Sequence, residues 1–132
     1  MQVNKHTQTP IVMATIYKKI NPIQLDDNDS PLDELKIRVE YNKGGYNSKR
    51  GVYAYINPVH REVSEYGCRW EKSVPLGFTQ ICGFRMLLRE LGRKSQKTED
   101  ELSAKVLEKA DEMAKLWDEE KFEDVIKILQ SV

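Results

Sequence analysis

The side chains of this 132-residue sequence that could do chemistry are mostly cations and tyrosines in its middle third. The run KGGYNSKRG, residues 43–51, places Lys43, Lys49 and Arg50 among glycines. Glycine lets backbone N–H groups approach an anion closely, and the cations supply the charge that a phosphate group attracts. The run lacks the GxxxxGK[ST] spacing of a nucleotide-binding loop. It therefore predicts either an ordinary hairpin tip or a contact for the phosphates of a polyanion.

Two tyrosines follow this run at strand spacing. Tyr53 and Tyr55 alternate with apolar residues, which predicts that their rings point away from the core, on the same side as Lys36 and Arg38. Rings interleaved with cations suit single-stranded nucleic acid, because bases stack on rings and phosphates pair with charges. Two structural interpretations compete: the rings could only stabilise the sheet, or later helices could cover them.

Arginines recur every four residues further along the chain, at Arg85, Arg89 and Arg93. On a helix this spacing forms one stripe, which could bind phosphates or an acidic protein surface. The alternative is internal pairing with the acidic residues 99–101. Such surface pairs stabilise a fold by only about 0–1 kcal/mol each.

Catalytic and metal-binding patterns are not found in the sequence. The soft ligands, His6, His60, Cys68 and Cys82, lack zinc-site spacing. The acidic run that begins at Asp26 lacks the Gly and Glu of a calcium loop. No signature orders His60, Glu62 and Cys68 as a catalytic set. We therefore expect a protein that is not an enzyme, with no catalytic residue, no metal and no cofactor.

Composition bounds the class of protein. The 39% hydrophobic content argues against a wholly disordered chain, and no apolar run approaches the roughly 18 residues of a membrane span. Two cysteines are too few for a disulfide framework, and the first residues lack a signal pattern, so a cytoplasmic location is expected. Residues 1–10 are polar and end in Pro10, which predicts a flexible tail, and the length predicts a single domain over 11–132.

The formal net charge of zero conceals a strong asymmetry along the chain. Residues 41–97 contain eleven basic and four acidic side chains, whereas residues 98–132 contain five basic and eleven acidic ones. Opposite charges of this kind either serve separate partners or neutralise each other across an internal interface. A nucleic-acid function requires that the basic part stays open.

Strand patterns come first along the chain. The predicted strands are 11–19, 34–41, 51–59 and 64–72. In the second, apolar Leu35, Ile37, Val39 and Tyr41 alternate with charged residues, which predicts one buried face. A loop rich in Asp and Pro is predicted over 21–33, and Pro58 is expected to end the third strand or to place it at a sheet edge.

Helical patterns follow the strands. A first helix is predicted from about Thr79 to Gly92, with Ile81, Phe84, Leu88 and Leu91 on its apolar face. Thr98 and Glu101 form a capping box for a second helix, and Asp118 is predicted to cap a third. The apolar stripe of the second helix is predicted to be Leu102, Val106, Ala110, Met113 and Trp117. The expected fold is α+β: a small antiparallel sheet of three to four strands followed by three helices, the last two a helical hairpin.

The segments KGGY and KRGVYAYINPV, followed by RKSQK, resemble small uncharacterised proteins of bacteriophages and mobile elements. The resemblance covers about residues 34–97 and implies a small accessory protein that acts by binding. Two hypotheses follow. The first is a binding module whose basic middle contacts nucleic acid, with single strands favoured. The second is an accessory protein that binds and inhibits a host protein, such as a defence nuclease, through its acidic surface.

Overall fold

The computed structural model describes residues 15–24, 30–63, 69–72 and 83–132. The strands are β1 Thr15–Ile23, β2 Leu32–Asn42, β3 Gly51–Val63, β4 Arg69–Lys72 and β5 Phe84–Glu90, and the helices are α1 Gln96–Glu108, α2 Ala110–Asp118 and α3 Phe122–Gln130. The predicted α+β class, an antiparallel sheet followed by three helices, is confirmed. In this part of the chain no helix is long and apolar enough to cross a membrane.

Strand β3 is the centre of the sheet. It pairs with β2 along Gly51–Val59, with β5 along Gly51–Ile56 and with β4 from His60 onward, and β1 lies outside β2. All of these pairings are antiparallel. The register sets Ile37 of β2 opposite both Ile16 of β1 and Ile56 of β3, so one face of the sheet is aligned across three strands.

The core lies between that face and the helices. Its fully buried sheet residues are Leu35, Ile37, Val39, Val52, Ala54 and Ile56, as the strict alternation of the sequence predicts. The predicted helical stripe of Leu102, Val106, Ala110, Met113 and Trp117 is buried against them. Helix α1 packs on β2 and β3, α2 on β1 and α3 on β5. The opposite side, which we call the outer face, holds the polar residues of the same strands.

Within the segment predicted as the first helix, Phe84–Glu90 forms strand β5 instead, so the helix prediction is wrong there, and residues 79–82 lie outside the described residues. Residues four apart lie on one face of a helix, and they also lie on one face of a strand because side chains alternate every two residues. The spacing of Arg85 and Arg89 therefore did not distinguish a helix from a strand. A bulge at Val52/Tyr53 then shifts the register, so that Arg85 lies opposite Tyr55 and Arg89 opposite Val52. The predicted arginine stripe is therefore not formed.

The boundaries of the first three strands also differ from the prediction. Strand β1 runs to Ile23 and β2 begins at Leu32, so the predicted loop over 21–33 is too long at both ends. Strand β3 continues through Pro58 to Val63. Pro58 is tolerated because it lies beyond the pairing with β5 and before the pairing with β4, where its missing N–H removes no bond to either strand. The predicted strand over 64–72 agrees at 69–72, and its earlier part lies outside the described residues.

The helix starts are corrected in a similar way. Helix α1 begins at Gln96, and the Ser95 hydroxyl, rather than that of Thr98, caps it by accepting from the Thr98 N–H at 3.3 Å. The predicted second helix breaks at Lys109 into α1 and α2. Asp118 does not cap α3, because it belongs to α2. Helices α2 and α3 still pack together as the predicted hairpin.

Candidate nucleic-acid interface

The outer face brings arginines onto tyrosine rings. Arg38 of β2 lies opposite Tyr55 of β3 in the strand register, and its guanidinium carbon is 4.3 Å from the ring centroid. The Tyr55 hydroxyl accepts a hydrogen bond from the Asn42 side-chain amide at 3.0 Å. An arginine over a ring contributes about 0.5–1 kcal/mol at exposed sites, so this pair fixes the ring and keeps a cation beside it.

A second arginine–tyrosine pair lies next to the first. Arg85 of β5 stacks over Tyr53 at 5.1 Å, and the Tyr53 and Tyr55 ring centroids are 6.2 Å apart. The Tyr53 hydroxyl donates to the Lys49 carbonyl at 2.5 Å. Tyr53 is only 5% exposed, whereas Tyr55 is half-buried, so Tyr55 offers more ring surface to a ligand.

The other end of the outer face is organised around a buried carboxylate. Glu34 is 7% exposed, and both its oxygens accept hydrogen bonds from Arg61 at 2.8 Å. Arg61 also stacks on Tyr17 at 3.9 Å. A bidentate pair of this kind neutralises the arginine, so this end offers less positive charge to a ligand than the end near β5.

The loop between β2 and β3 forms a tight hairpin tip. Gly45 and Ser48 exchange backbone hydrogen bonds of 3.2 and 3.1 Å, and the Gly44 N–H donates to the Asn42 side chain at 2.7 Å. Gly44 has a φ of +76°, and a Cβ there would lie 2.7 Å from the Ser48 carbonyl oxygen. Only glycine fits this position without strain, so the tip has a defined shape.

Contacts with β5 and the segment after it hold the hairpin in place. Arg50 donates to the carbonyls of Lys43 at 3.2 Å and Gly92 at 2.8 Å, and Arg85 donates to the Ser48 hydroxyl at 2.7 Å. The Arg50 side chain, predicted as a phosphate ligand, therefore also fixes the loop. At the tip, the Tyr46 side chain is 96% exposed. Sequence reasoning missed Tyr46, although an aromatic residue inside a cationic loop was the available signal.

The structure brings most of the predicted site residues to this end of the sheet. Those near the hairpin or on the adjoining outer face are Arg38, Lys43, Lys49, Arg50, Tyr53, Tyr55 and Arg85, whereas Lys36 lies farther along β2, opposite Tyr17 and Asn57. Arg89 lies opposite a core-face residue of β3, and Arg93 lies in the connection to α1, so neither extends the outer face. We call the first set, together with Tyr46, the hairpin surface.

Among the described residues, the acidic helices form no ion pair with the hairpin surface. Among ion pairs between described residues, one joins a cation of 41–97 to a helical carboxylate, Lys94 with Glu99 at 4.0 Å. The pairs at the hairpin surface itself, Lys49 with Glu90 at 3.7 Å and Arg38 with Glu40 at 3.2 Å, involve partly or largely exposed side chains. Such pairs are weak, about 0–1 kcal/mol, and salt screens them.

Other predicted candidates form no site in the described part of the chain. No group of three or more His, Cys, Asp or Glu side chains there could hold a metal ion. His60 lies 3.4 Å from Asp33 and 3.7 Å from Glu62, whereas His6, Cys68, Cys82 and the acidic run from Asp26 lie outside the described residues. Comparison with known protein families, curated proteins and solved structures gave no match.

Proposed function

We propose that this protein binds nucleic acid through the hairpin surface and prefers single strands to duplex. The observation that carries the proposal is the juxtaposition of Tyr55, which is stacked with Arg38, and a rigid hairpin bearing exposed lysines. Single-stranded nucleic acid is bound by this combination of ring faces and cations, because every base has a face that can stack. The carboxylates of the helical layer do not neutralise these cations.

Each part of the hairpin surface has a distinct role in the proposal. Lys43 and Lys49 are exposed and contact phosphates. Tyr55 stacks a base, while Arg38 and Arg85, which lie opposite it in the strand register, attract the backbone of the nucleic acid, and Lys36 adds charge farther along β2. Arg50 holds the loop and adds its charge. Arg89 and Arg93 are exposed away from this face and contribute only at long range.

The test is fluorescence anisotropy with labelled single-stranded and double-stranded oligonucleotides at several salt concentrations. The variant Lys43→Ala/Lys49→Ala removes two phosphate contacts and leaves the anchoring Arg50 intact. For a single strand, the slope of log K against log salt should fall in magnitude by about 1.4, that is 0.7 for each contact. The matched control, Lys105→Ala/Lys115→Ala, removes the same charge from exposed positions on the helices.

The control variant should bind with a slope close to that of the unaltered protein. An equal loss of slope in both variants would mean that only net charge matters, and would remove the hairpin from the proposal. A protein that binds no oligonucleotide at low salt would contradict the proposed function as a whole.

The acidic helical layer favours a second candidate function, recognition of a basic surface on a host protein. Helices α2 and α3 and the turn between them expose carboxylates at Asp111, Glu112, Glu119, Glu120 and Glu123. An accessory protein that inhibits a nuclease would use such a surface, because it imitates the charge of nucleic acid. Under this candidate, Glu119→Lys/Glu120→Lys abolishes inhibition of a purified nuclease, whereas Lys43→Ala/Lys49→Ala leaves it unchanged.

A further inference from the structure

We infer that Tyr46 is a second base-stacking site, so that one single strand is held at two points, the hairpin tip and Tyr55. This inference rests on the proposed function and adds a residue, a geometry and a minimum ligand length to it. It starts from the exposure of Tyr46, whose side chain is 96% exposed. A ring with almost no buried area contributes almost nothing to the hydrophobic core, so packing does not account for it.

The turn itself does not require an aromatic residue. Tyr46 and Asn47 are the two residues enclosed by the Gly45–Ser48 pair, and Asn47 has a φ of +70°. Turn positions of this kind favour Gly, Asn, Asp and Ser because of backbone conformation and local hydrogen bonding. Asn47 meets that demand, whereas the ring of Tyr46 adds apolar area directed into solvent.

Hydrogen bonds tie the hairpin that bears Tyr46 to the outer face on which Tyr55 lies. Two outer-face side chains bond to the loop: the Tyr53 hydroxyl to the Lys49 carbonyl at 2.5 Å, and Arg85 to the Ser48 hydroxyl at 2.7 Å. The exposed lysines at 43 and 49 flank the tip along the chain. A base stacked on Tyr46 would therefore have cations beside its phosphates, as at the sheet.

Chain geometry limits the distance between the two stacking sites. Tyr46 and Tyr55 are nine residues apart in the sequence, so their Cα atoms are separated by at most about 32 Å. Stacked nucleotides advance about 3.4 Å each, whereas a mononucleotide offers a single base to stack. A strand of 16 nucleotides is long enough to reach both rings at the upper limit. Duplex bases are already stacked on their neighbours, so the ligand must contain unpaired nucleotides.

The experiment compares Tyr46→Ala with Tyr46→Phe by anisotropy, using a labelled 16-nucleotide single strand and a labelled mononucleotide. Both substitutions alter an exposed side chain, and circular dichroism confirms that the fold is retained. With the 16-nucleotide strand, Tyr46→Ala should weaken binding between about 5- and 150-fold, the effect of one lost stacked base. Tyr46→Phe keeps the ring and should bind within about twofold of the unaltered protein. The slope against salt should be unchanged in both, because no charge is removed.

The mononucleotide separates a two-point site from a single one. Its one base can stack on one ring at a time, so Tyr46→Ala should reduce its binding only about twofold, when one of two sites is lost. An equal fold-loss for both ligands would overturn the two-point inference, and so would equal losses for Tyr46→Ala and Tyr46→Phe. If Tyr46→Ala binds normally while Lys43→Ala/Lys49→Ala does not, this inference fails and the proposed function stands. Absence of binding by the unaltered protein would overturn both.

Discussion

The two ends of the outer face use the same residue types for different purposes. Near the end of β3, Arg61 stacks on Tyr17 and donates two hydrogen bonds to the buried carboxylate of Glu34, which neutralises its charge. Near the hairpin, Arg38 stacks on Tyr55, but its acidic partner Glu40 is 41% exposed. The arginine–tyrosine pair alone therefore does not define a binding surface. What distinguishes the two ends is whether a carboxylate is buried with the arginine.

This contrast predicts the largest loss of stability at the end of the outer face that holds Glu34 and Arg61. Glu34→Ala removes both acceptors of Arg61 and leaves its guanidinium partly buried without that partner. Loss of one partner of a buried pair costs about 3–5 kcal/mol, and the lower value applies because Arg61 keeps some contact with water. Urea denaturation would measure the change in the free energy of unfolding. The matched variant Glu40→Ala should cost less than about 1 kcal/mol. Similar losses for the two variants would contradict the comparison.

An intermediate effect is expected in the hairpin backbone. Gly44→Ala forces a side chain into a left-handed conformation, which costs about 1–2 kcal/mol, and places its Cβ against the Ser48 carbonyl. Its neighbour provides the control, because a Cβ on Gly45 would meet no atom within 4 Å. Thermal unfolding of both variants should show a lower Tm for Gly44→Ala alone. A parallel anisotropy measurement should show weaker oligonucleotide binding by the same variant, because the tip loses its shape.

The smallest effect on stability should come from the exposed cations. Lys49 and Glu90 are separated by 3.7 Å, and their side chains are 69% and 64% exposed. Lys49→Ala should therefore change the free energy of unfolding by less than about 0.5 kcal/mol, as chemical denaturation can establish. A larger loss would show that Lys49 supports the fold, and would contradict the conclusion that ion pairs at the hairpin end contribute little to stability.

The sequence was most informative where one face of an element is buried. The strict alternation of β2 predicted its inward residues, and the apolar stripe from Leu102 to Trp117 was buried as expected. Burial on one side imposes a period that can be read directly from residue types. The period did not identify β5, because apolar and basic residues spaced by four fit the period of a helix and also the two-residue period of a strand. Its place in the sheet depends on pairing with β3, which is a long-range contact.

The candidate site was only partly predictable for a related reason. Tyr53 and Tyr55 were assigned to the correct face by alternation, but the burial of Tyr53 depends on Arg85 and the hairpin, which no local pattern reveals. Loops have no period, so the aromatic residue in the cationic loop marked Tyr46 as a candidate without indicating that its side chain would be exposed at the tip of a hydrogen-bonded turn. Whether the acidic helices would neutralise the basic middle required the tertiary arrangement.

The first strand is joined to the helical layer as well as to the sheet. The Asn21 N–H donates to Asp118 at 2.7 Å, across 97 residues of sequence, and Lys18 pairs with Asp111 at 2.8 Å. During synthesis, β1 emerges long before its helical partners do. Its contacts with α2 can form only after α2 has left the ribosome, so β1 is made early but is among the last elements to complete its contacts. Contacts so distant along the chain favour slow folding compared with a helical bundle of similar size.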